Sequence, residues 1–377
     1  MSKKLLAIIF SLIFGPVVYT IKLFKGNLFR SVRLPETFEK ILIIEMFGIG
    51  DFVMASSAFR ALRERYPYSK ITLLTVPIIE DLAQDCPYFD EIVYFKCPWP
   101  AQSIYKYDLQ NIISVIKCLR SKQFELVIDM RGDLRNILFM SFLGARYRIS
   151  FTIGGGGFLL THKVPYGSGS IHQVYHNLEI AKFLGAEINT IKPELWTRDL
   201  DGYKKRVLEY VGKKENEILV AIHPGANWYG RRWSPDRFKD VAEKLSELEN
   251  VKVAIVGSPA ESLLVRKIAD GNALLRVVIT KSLKELTIFL QECDLLVCND
   301  SAPMHIAVAV NTPTVALFGP QEPGFHGPYG DENIVIRHKV ACSPCVQHLC
   351  RLSDNSCMNL ISVEEVYNSI INLLEKK

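Results

Sequence analysis

Val297-Cys298-Asn299-Asp300-Ser301-Ala302-Pro303-Met304-His305 is an apolar run that ends in a carboxylate and a hydroxyl at a point where a helix can begin. Ligands of open α/β sheets sit off the carboxyl ends of the strands, against helix N-termini. Asp300 reads as an N-cap, with Ser301 and Pro303 in the first turn and His305 one turn inside. Asp is also a common cap where no ligand binds, so on this stretch alone a nucleotide site and a plain cap stand level.

The same pattern of short apolar run, loop and amphipathic segment repeats in both directions. Toward the N-terminus it predicts strands at 41–45, 71–75, 91–95 and 126–129, with helices at 51–66, 109–121, from 134 onward, and at 174–184 beyond a Gly- and Ser-rich break at 166–170. A charged stretch at 204–217 precedes a second series. Strands are expected there at 218–222, 251–256, 295–298 and 314–318, and helices at 235–248, 260–269, 282–291, 302–310 and 363–374. The strands are rich in Ile, Val and Leu, as parallel strands covered on both faces are. The prediction is an α/β chain of two Rossmann-like doubly wound domains facing a central cleft.

A length of 377 residues is enough for two such cores. The net charge of +5 is mild, and no basic run interleaves with aromatics, so nucleic acid is not an expected partner. The charge suits an anionic membrane surface or a phosphorylated acceptor. Residues 5–21, LLAIIFSLIFGPVVYTI, form an apolar segment with Lys3 and Lys4 before it and Lys22, Lys25, Arg30, Arg33 and Lys40 after it. It is short for a transmembrane helix, and Gly15-Pro16 could bend it into an interfacial anchor. Either way the basic excess behind it keeps the body at the cytoplasmic face of the inner membrane, anchored or peripheral. The expected divisions are an anchor and basic linker at 1–34, an N-terminal domain at 35–200, a C-terminal domain at 201–361 and a final helix at 362–377, for which a crossing back to the first domain is considered.

Three loops are expected at strand ends. Met46-Phe47-Gly48-Ile49-Gly50-Asp51 follows the first strand, and its glycines Gly48 and Gly50 permit a tight turn close to a ligand. The dinucleotide fingerprint is not completed, since position 53 is Val, and Asp51 at the helix start repels an anion. That favours a hydroxyl substrate whose proton Asp51 takes, against the alternative of a simple cap. In the second loop, His223-Pro224-Gly225-Ala226-Asn227-Trp228 leads to Arg231, Arg232 and a helix capped by Ser234-Pro235. Small residues there let backbone N–H groups approach a diphosphate, and a cation neutralises a departing one. The third loop is the Asp300 segment with Gly319-Pro320 after the next strand. A donor held by the last two loops and an acceptor at the first is the division of labour of a two-domain glycosyl transferase.

These segments resemble glycosyltransferase family 9, the lipopolysaccharide heptosyltransferases of GT-B fold. The likeness rests on 41–67, on 223–238 (HPGANWYGRRWSPDRF), on 299–320 (NDSAPMHIAVAVNTPTVALFGP) and on Pro328-Tyr329-Gly330. It implies inverting transfer, without a catalytic metal, from a nucleotide-diphosphate sugar, ADP-heptose foremost, to a hydroxyl of a lipopolysaccharide-core glycolipid. By the resemblance Asp51 matches the general base, and Arg231 stands where the family usually has Lys against the donor phosphates. Asp300, Ser301 and His305 match donor-binding positions, with Gly225, Ala226, Asn227, Arg232, Gly319 and Pro320 around them. Ala302 replaces the usual Gly. Arg is permanently charged and forked, so it serves a diphosphate but does not shed a proton.

Arg131 and Arg135, near the end of a first-domain strand, offer cations to acceptor phosphates or acidic sugars, with a local Asp–Arg network as the equal alternative. Cys342, Cys345, Cys350 and Cys357 resemble a cysteine cluster of many family members. Their spacing suits a structural zinc, with free thiols as the equal alternative. Two other functions are carried: an inactive membrane-attached sugar-nucleotide binding protein, and a GT-B sugar-nucleotide epimerase.

Overall fold

The structure is a computed structural model that describes residues 33–376 apart from 101, 102, 104, 168–170, 199, 201, 346–349 and 351–353. The apolar segment 5–21 lies outside the described residues. Among those described, no helix is long and apolar enough to cross a membrane.

The chain divides into two units, each built on a parallel six-stranded sheet. The first contains β1 (Lys40–Ile44), β2 (Lys70–Thr75), β3 (Glu91–Tyr94), β4 (Leu126–Asp129), β5 (Tyr147–Ser150) and β6 (His162–Lys163). Their order is β3-β2-β1-β4-β5-β6. The central strand reads KILII and is buried from Ile41 to Ile44, with Ile41 registered on Ile71 and on Leu126. Helix α1 (Ile49–Arg65) buries Phe52, Val53, Ala55 and Phe59. Helix α2 (Leu109–Ser121) starts at Asp108, whose carboxylate accepts the Gln110 and Asn111 N–H groups at 3.0 and 3.1 Å. Helix α3 (Leu134–Ser141) starts at Asp133 in the same way, and α4 (Gln173–Phe183) follows the Gly- and Ser-rich break. Such caps satisfy amide groups that a helix leaves unpaired.

The second unit contains β7 (Ile218–His223), β8 (Val251–Gly257), β9 (Leu275–Ile279), β10 (Leu295–Asn299), β11 (Thr314–Phe318) and β12 (Ile334–Arg337). Their order is β12-β11-β10-β7-β8-β9, which repeats the winding of the first sheet. Its helices are α5 (Tyr203–Val211), α6 (Pro235–Ser246), α7 (Ser262–Ala269), α8 (Leu283–Gln291), α9 (Ala302–Ala309) and α10 (Val363–Glu375). In each unit the chain winds outward in one direction and then in the other from a central pair, β1 beside β4 and β7 beside β10. The loops leaving these pairs sit at the switch point where doubly wound sheets bind ligands.

The final helix belongs to the second unit. Val366, Ile370 and Leu373 of α10 are buried in one core with Trp233, Val241 and Leu245, and the helix packs on α6, β10 and β11. Its apolar face is therefore used within the second unit. Four strands escape the sequence reading: β5 (YRIS), β6 (HK), β9 (LRVVI) and β12 (IVIR). Each is short, lies toward a sheet edge and carries a charged residue, so it lacks the continuous apolar run of a central strand. The charged stretch near 204 contains α5, which turns Val207 and Val211 inward.

Candidate active site

The β1 and β4 loops of the first unit bring Asp51 and Arg131 together. Helix α1 begins at Ile49 with Gly48 as its N-cap, so Asp51 is the third helical residue rather than the cap. Its Oδ2 accepts the Gly48 N–H at 3.0 Å, and its Oδ1 forms an ion pair with Arg131 Nη1 at 2.8 Å. Gly48 has φ −99°, a backbone angle that any residue adopts. The Arg131 guanidinium also lies over the Phe47 ring, 4.8 Å from its centroid. Arg135 is committed locally: it donates to both oxygens of Asp133 at 2.8 and 2.7 Å and to the Trp99 carbonyl at 2.6 Å. For both arginines the structure has the local Asp–Arg network.

Beneath this pair lie two carboxyl groups that the sequence reading passed over. Asp129, fully buried at the end of β4, accepts bonds from Gly132 N–H, Asn136 Nδ2 and Ser150 Oγ at 2.7 to 2.8 Å. Burial pushes its carboxyl up to about 6 despite these bonds. Glu45, the residue after β1, is 1% exposed.

In the second unit the β7 and β10 loops converge on Asn299. This buried side chain accepts the Trp233 N–H at 3.0 Å and donates to the Pro224 carbonyl at 2.8 Å, fixing both ends of the loop that carries Arg231. Arg231 Nη1 then lies 3.3 Å from Asp300 Oδ1. Asp300 is 3% exposed, and its Oδ2 is buried with no hydrogen-bond partner among the described residues. Burial pushes the Asp300 carboxyl up to about 6, against the pull of Arg231. The N-cap of α9 is Ser301, not Asp300, because the Asp300 N–H still bonds the Leu317 carbonyl at 3.1 Å in the manner of a strand. His305 is buried in the first turns of α9.

The remaining predicted residues are placed as follows. Arg232 donates to the Ala226 carbonyl at 2.8 Å, and Asn227 is exposed. A Cβ at Gly225 would meet the Glu261 carboxylate, a group that sequence reasoning missed. Glu261 lies just past β8, its Oε2 accepting from Ser258 N–H and Oγ at 2.9 and 2.7 Å and standing 3.6 Å from His223 Nε2. Burial alone would raise its pKa, but His223 and Ser258 hold it down at about 2. An acidic residue past the second strand of a Rossmann unit is the usual partner of ribose hydroxyls. Gly319 packs against Cys357 and Met358, and the Pro320 carbonyl accepts the Cys345 N–H at 3.1 Å. Cys342, Cys345, Cys350 and Cys357 form no disulfide, and Cys357 lies within electrostatic reach of the other three. Among the described residues no group of three His, Cys, Asp or Glu side chains is arranged to hold a metal ion.

The chain matches the model of glycosyltransferase family 9 (heptosyltransferase) over residues 112–355. It is 30% identical over 343 residues to lipooligosaccharide heptosyltransferase 2 of Campylobacter jejuni, covering 89% of this chain and 98% of that one. A glycosyl transferase of family 9 from Veillonella parvula superposes with a TM-score of 0.75 at 20% identity, covering 91% of this chain and 99% of that one. The ADP-heptose lipopolysaccharide heptosyltransferase II of Escherichia coli gives 0.71 at 21% identity, with 89% and 99% covered. The two Rossmann-type units thus belong to a GT-B-like fold, and the binding-protein and epimerase alternatives gain no support. The chain belongs to glycosyltransferase family 9, and it is a glycosyltransferase of the lipopolysaccharide heptosyltransferase type.

Proposed function

We propose that the protein transfers a heptose, with inversion, from ADP-heptose to a hydroxyl of a lipopolysaccharide-core glycolipid. The observation that carries this reading is the Arg231–Asp300 pair at the β7/β10 switch point, where a nucleotide diphosphate is expected to bind. It is supported by the named activity of the Campylobacter relative and by the donor named for the E. coli enzyme.

In this mechanism the second unit holds the donor. Arg231 meets the negative charge that develops on the leaving diphosphate, and the first N–H groups of α9 contribute further positive potential. Glu261 accepts the ribose hydroxyls. The first unit serves the acceptor. Its hydroxyl attacks the anomeric carbon from the face opposite the diphosphate and gives its proton to Asp51. The O–H and anomeric C–O(phosphate) bonds break, the new glycosidic bond forms, and ADP leaves. Residues 5–21 attach the enzyme to the cytoplasmic face of the membrane that carries the acceptor.

The purified full-length protein, given a core-truncated lipopolysaccharide acceptor, tests the reading. It should consume ADP-heptose in preference to uridine- or guanosine-diphosphate sugars, with release of ADP and formation of the inverted glycoside. Preference for a uridine-diphosphate hexose would overturn the donor assignment.

A further inference from the structure

Glu45 has no part in the transfer chemistry above, yet it is buried at the head of the loop whose Phe47 ring lies under the Arg131 guanidinium. Its Oε1 accepts the Phe47 N–H at 3.2 Å, while its Oε2 is buried with no hydrogen-bond partner among the described residues. An ionised carboxylate with a bare buried oxygen is costly, so the group favours its neutral form. Burial pushes this carboxyl up to about 8, with Asp51 and Asp129 adding repulsion and Arg131 opposing it. These three are the charged groups that face Glu45: Arg131 from the loop after β4, Asp51 from the first turn of α1, and Asp129 from the end of β4. Tyr166 in turn faces Arg131. One guanidinium therefore serves three carboxyl groups and contacts Asp51 at 2.8 Å.

We propose that Glu45 is a positioning residue for the transfer reaction: as the neutral acid it leaves Arg131 committed to Asp51, and on losing its proton it draws the guanidinium away. This rests on Asp51 being the base. A carboxylate in contact with a guanidinium is a poor proton acceptor, because taking the proton discards the ion pair. Once Glu45 is ionised, Arg131 is shared between two carboxylates and the new negative charge raises the proton affinity of Asp51. The acceptor hydroxyl then loses its proton to Asp51 more readily. Transfer limited by that step accelerates well above the pH range in which an ordinary carboxylate base levels off.

The test is kcat against pH for the full-length wild type and Glu45→Gln, from about pH 6 to 10, with a carboxyl infrared difference spectrum on the same samples. The wild type should climb about three- to tenfold around pH 8, while Glu45→Gln stays flat and within about threefold of the wild type's low-pH rate. The spectrum should show a protonated carboxyl at neutral pH that disappears in Glu45→Gln, a signal that needs no turnover. A flat wild-type profile, or a Glu45→Gln profile that climbs as the wild type does, overturns the proposal. Should Glu45→Gln not fold, the wild-type profile and its carboxyl band decide. Asp51→Asn separates the two readings. If that variant transfers normally, the base assignment falls and takes this proposal with it. If it is inactive while the Glu45→Gln profile is unchanged, the Glu45 proposal falls alone.

Discussion

The Arg231 guanidinium lies 3.3 Å from the Asp300 carboxylate, joining the β7 loop to the strand end of β10 across 69 residues of sequence. The cation is held ready by a group that is itself buried and short of partners. A diphosphate entering here meets a positive charge already positioned, which is the condition for strong electrostatic stabilisation in a poorly solvated site.

Arg231→Met should lower kcat by about 10²- to 10³-fold, whereas Arg231→Lys, which keeps the charge but loses the fork, should stay within about tenfold. Arg231→Met also leaves Asp300 buried without its cation, so its thermal midpoint should fall at neutral pH. The deficit should shrink as pH falls toward about 6, because without the cation Asp300 holds its proton to a higher pH than in the wild type. A deficit that does not change with pH would mean the pair is not what the methionine disturbs. Steady-state kinetics and differential scanning calorimetry at two pH values check both parts.

Asn299→Ala removes the bonds to the Trp233 N–H and the Pro224 carbonyl, leaving two buried backbone groups unpaired. The expected cost is about 1–3 kcal/mol of stability, read from urea unfolding. Donor KM should rise more than kcat falls, because the loop that carries Arg231 loses its register. Unchanged donor KM in a folded variant would show that Asn299 supports the core alone.

Two carboxyls give opposite contributions to stability with pH. Asp129, raised to about 6, keeps its proton after the unfolded chain has lost it, so its contribution falls as pH rises from about 4 to 6. Glu261, lowered to about 2, contributes stability that is complete above the unfolded value and lost as pH falls from about 4.5 through 2. Urea denaturation between about pH 2 and 7 should show a shallower alkaline-going decline in Asp129→Asn and a smaller acid loss in Glu261→Gln. Slopes identical to wild type in both variants would contradict these assignments.

Removing residues 1–34 should move the protein from the membrane to the soluble fraction while leaving kcat on a water-soluble truncated acceptor within about twofold. Membrane recovery equal to the full chain would place the attachment in the body of the enzyme.

The winding of both sheets was legible because the central strands are the most apolar. KILII, LVID, ILVAIH and LLVCN carry the continuous runs that parallel burial demands, and the loops after them could be located to within a residue or two. Asp51, Arg231 and Asp300 were visible because they interrupt such runs beside small residues. Asn299 and Glu45 were not: each sits at the end of its apolar run, where sequence reads a strand terminus and cannot show which distant groups converge on it. Glu261, 36 residues beyond Gly225, is another group that no local pattern places beside that loop. For Arg131 and Arg135 the sequence leaves acceptor cations and a local Asp–Arg network level, because ion pairing depends on loop geometry that no local pattern encodes.

The central claim is that Asp51 takes the acceptor proton while Arg231 meets the leaving diphosphate, and single-turnover transfer by Asp51→Asn tests it most directly. With saturating ADP-heptose and truncated lipopolysaccharide, the chemical step should slow by about 10²- to 10⁴-fold while donor binding, measured by calorimetry, stays at the wild-type value. A single-turnover rate equal to wild type, with the variant folded and binding donor, would contradict the account.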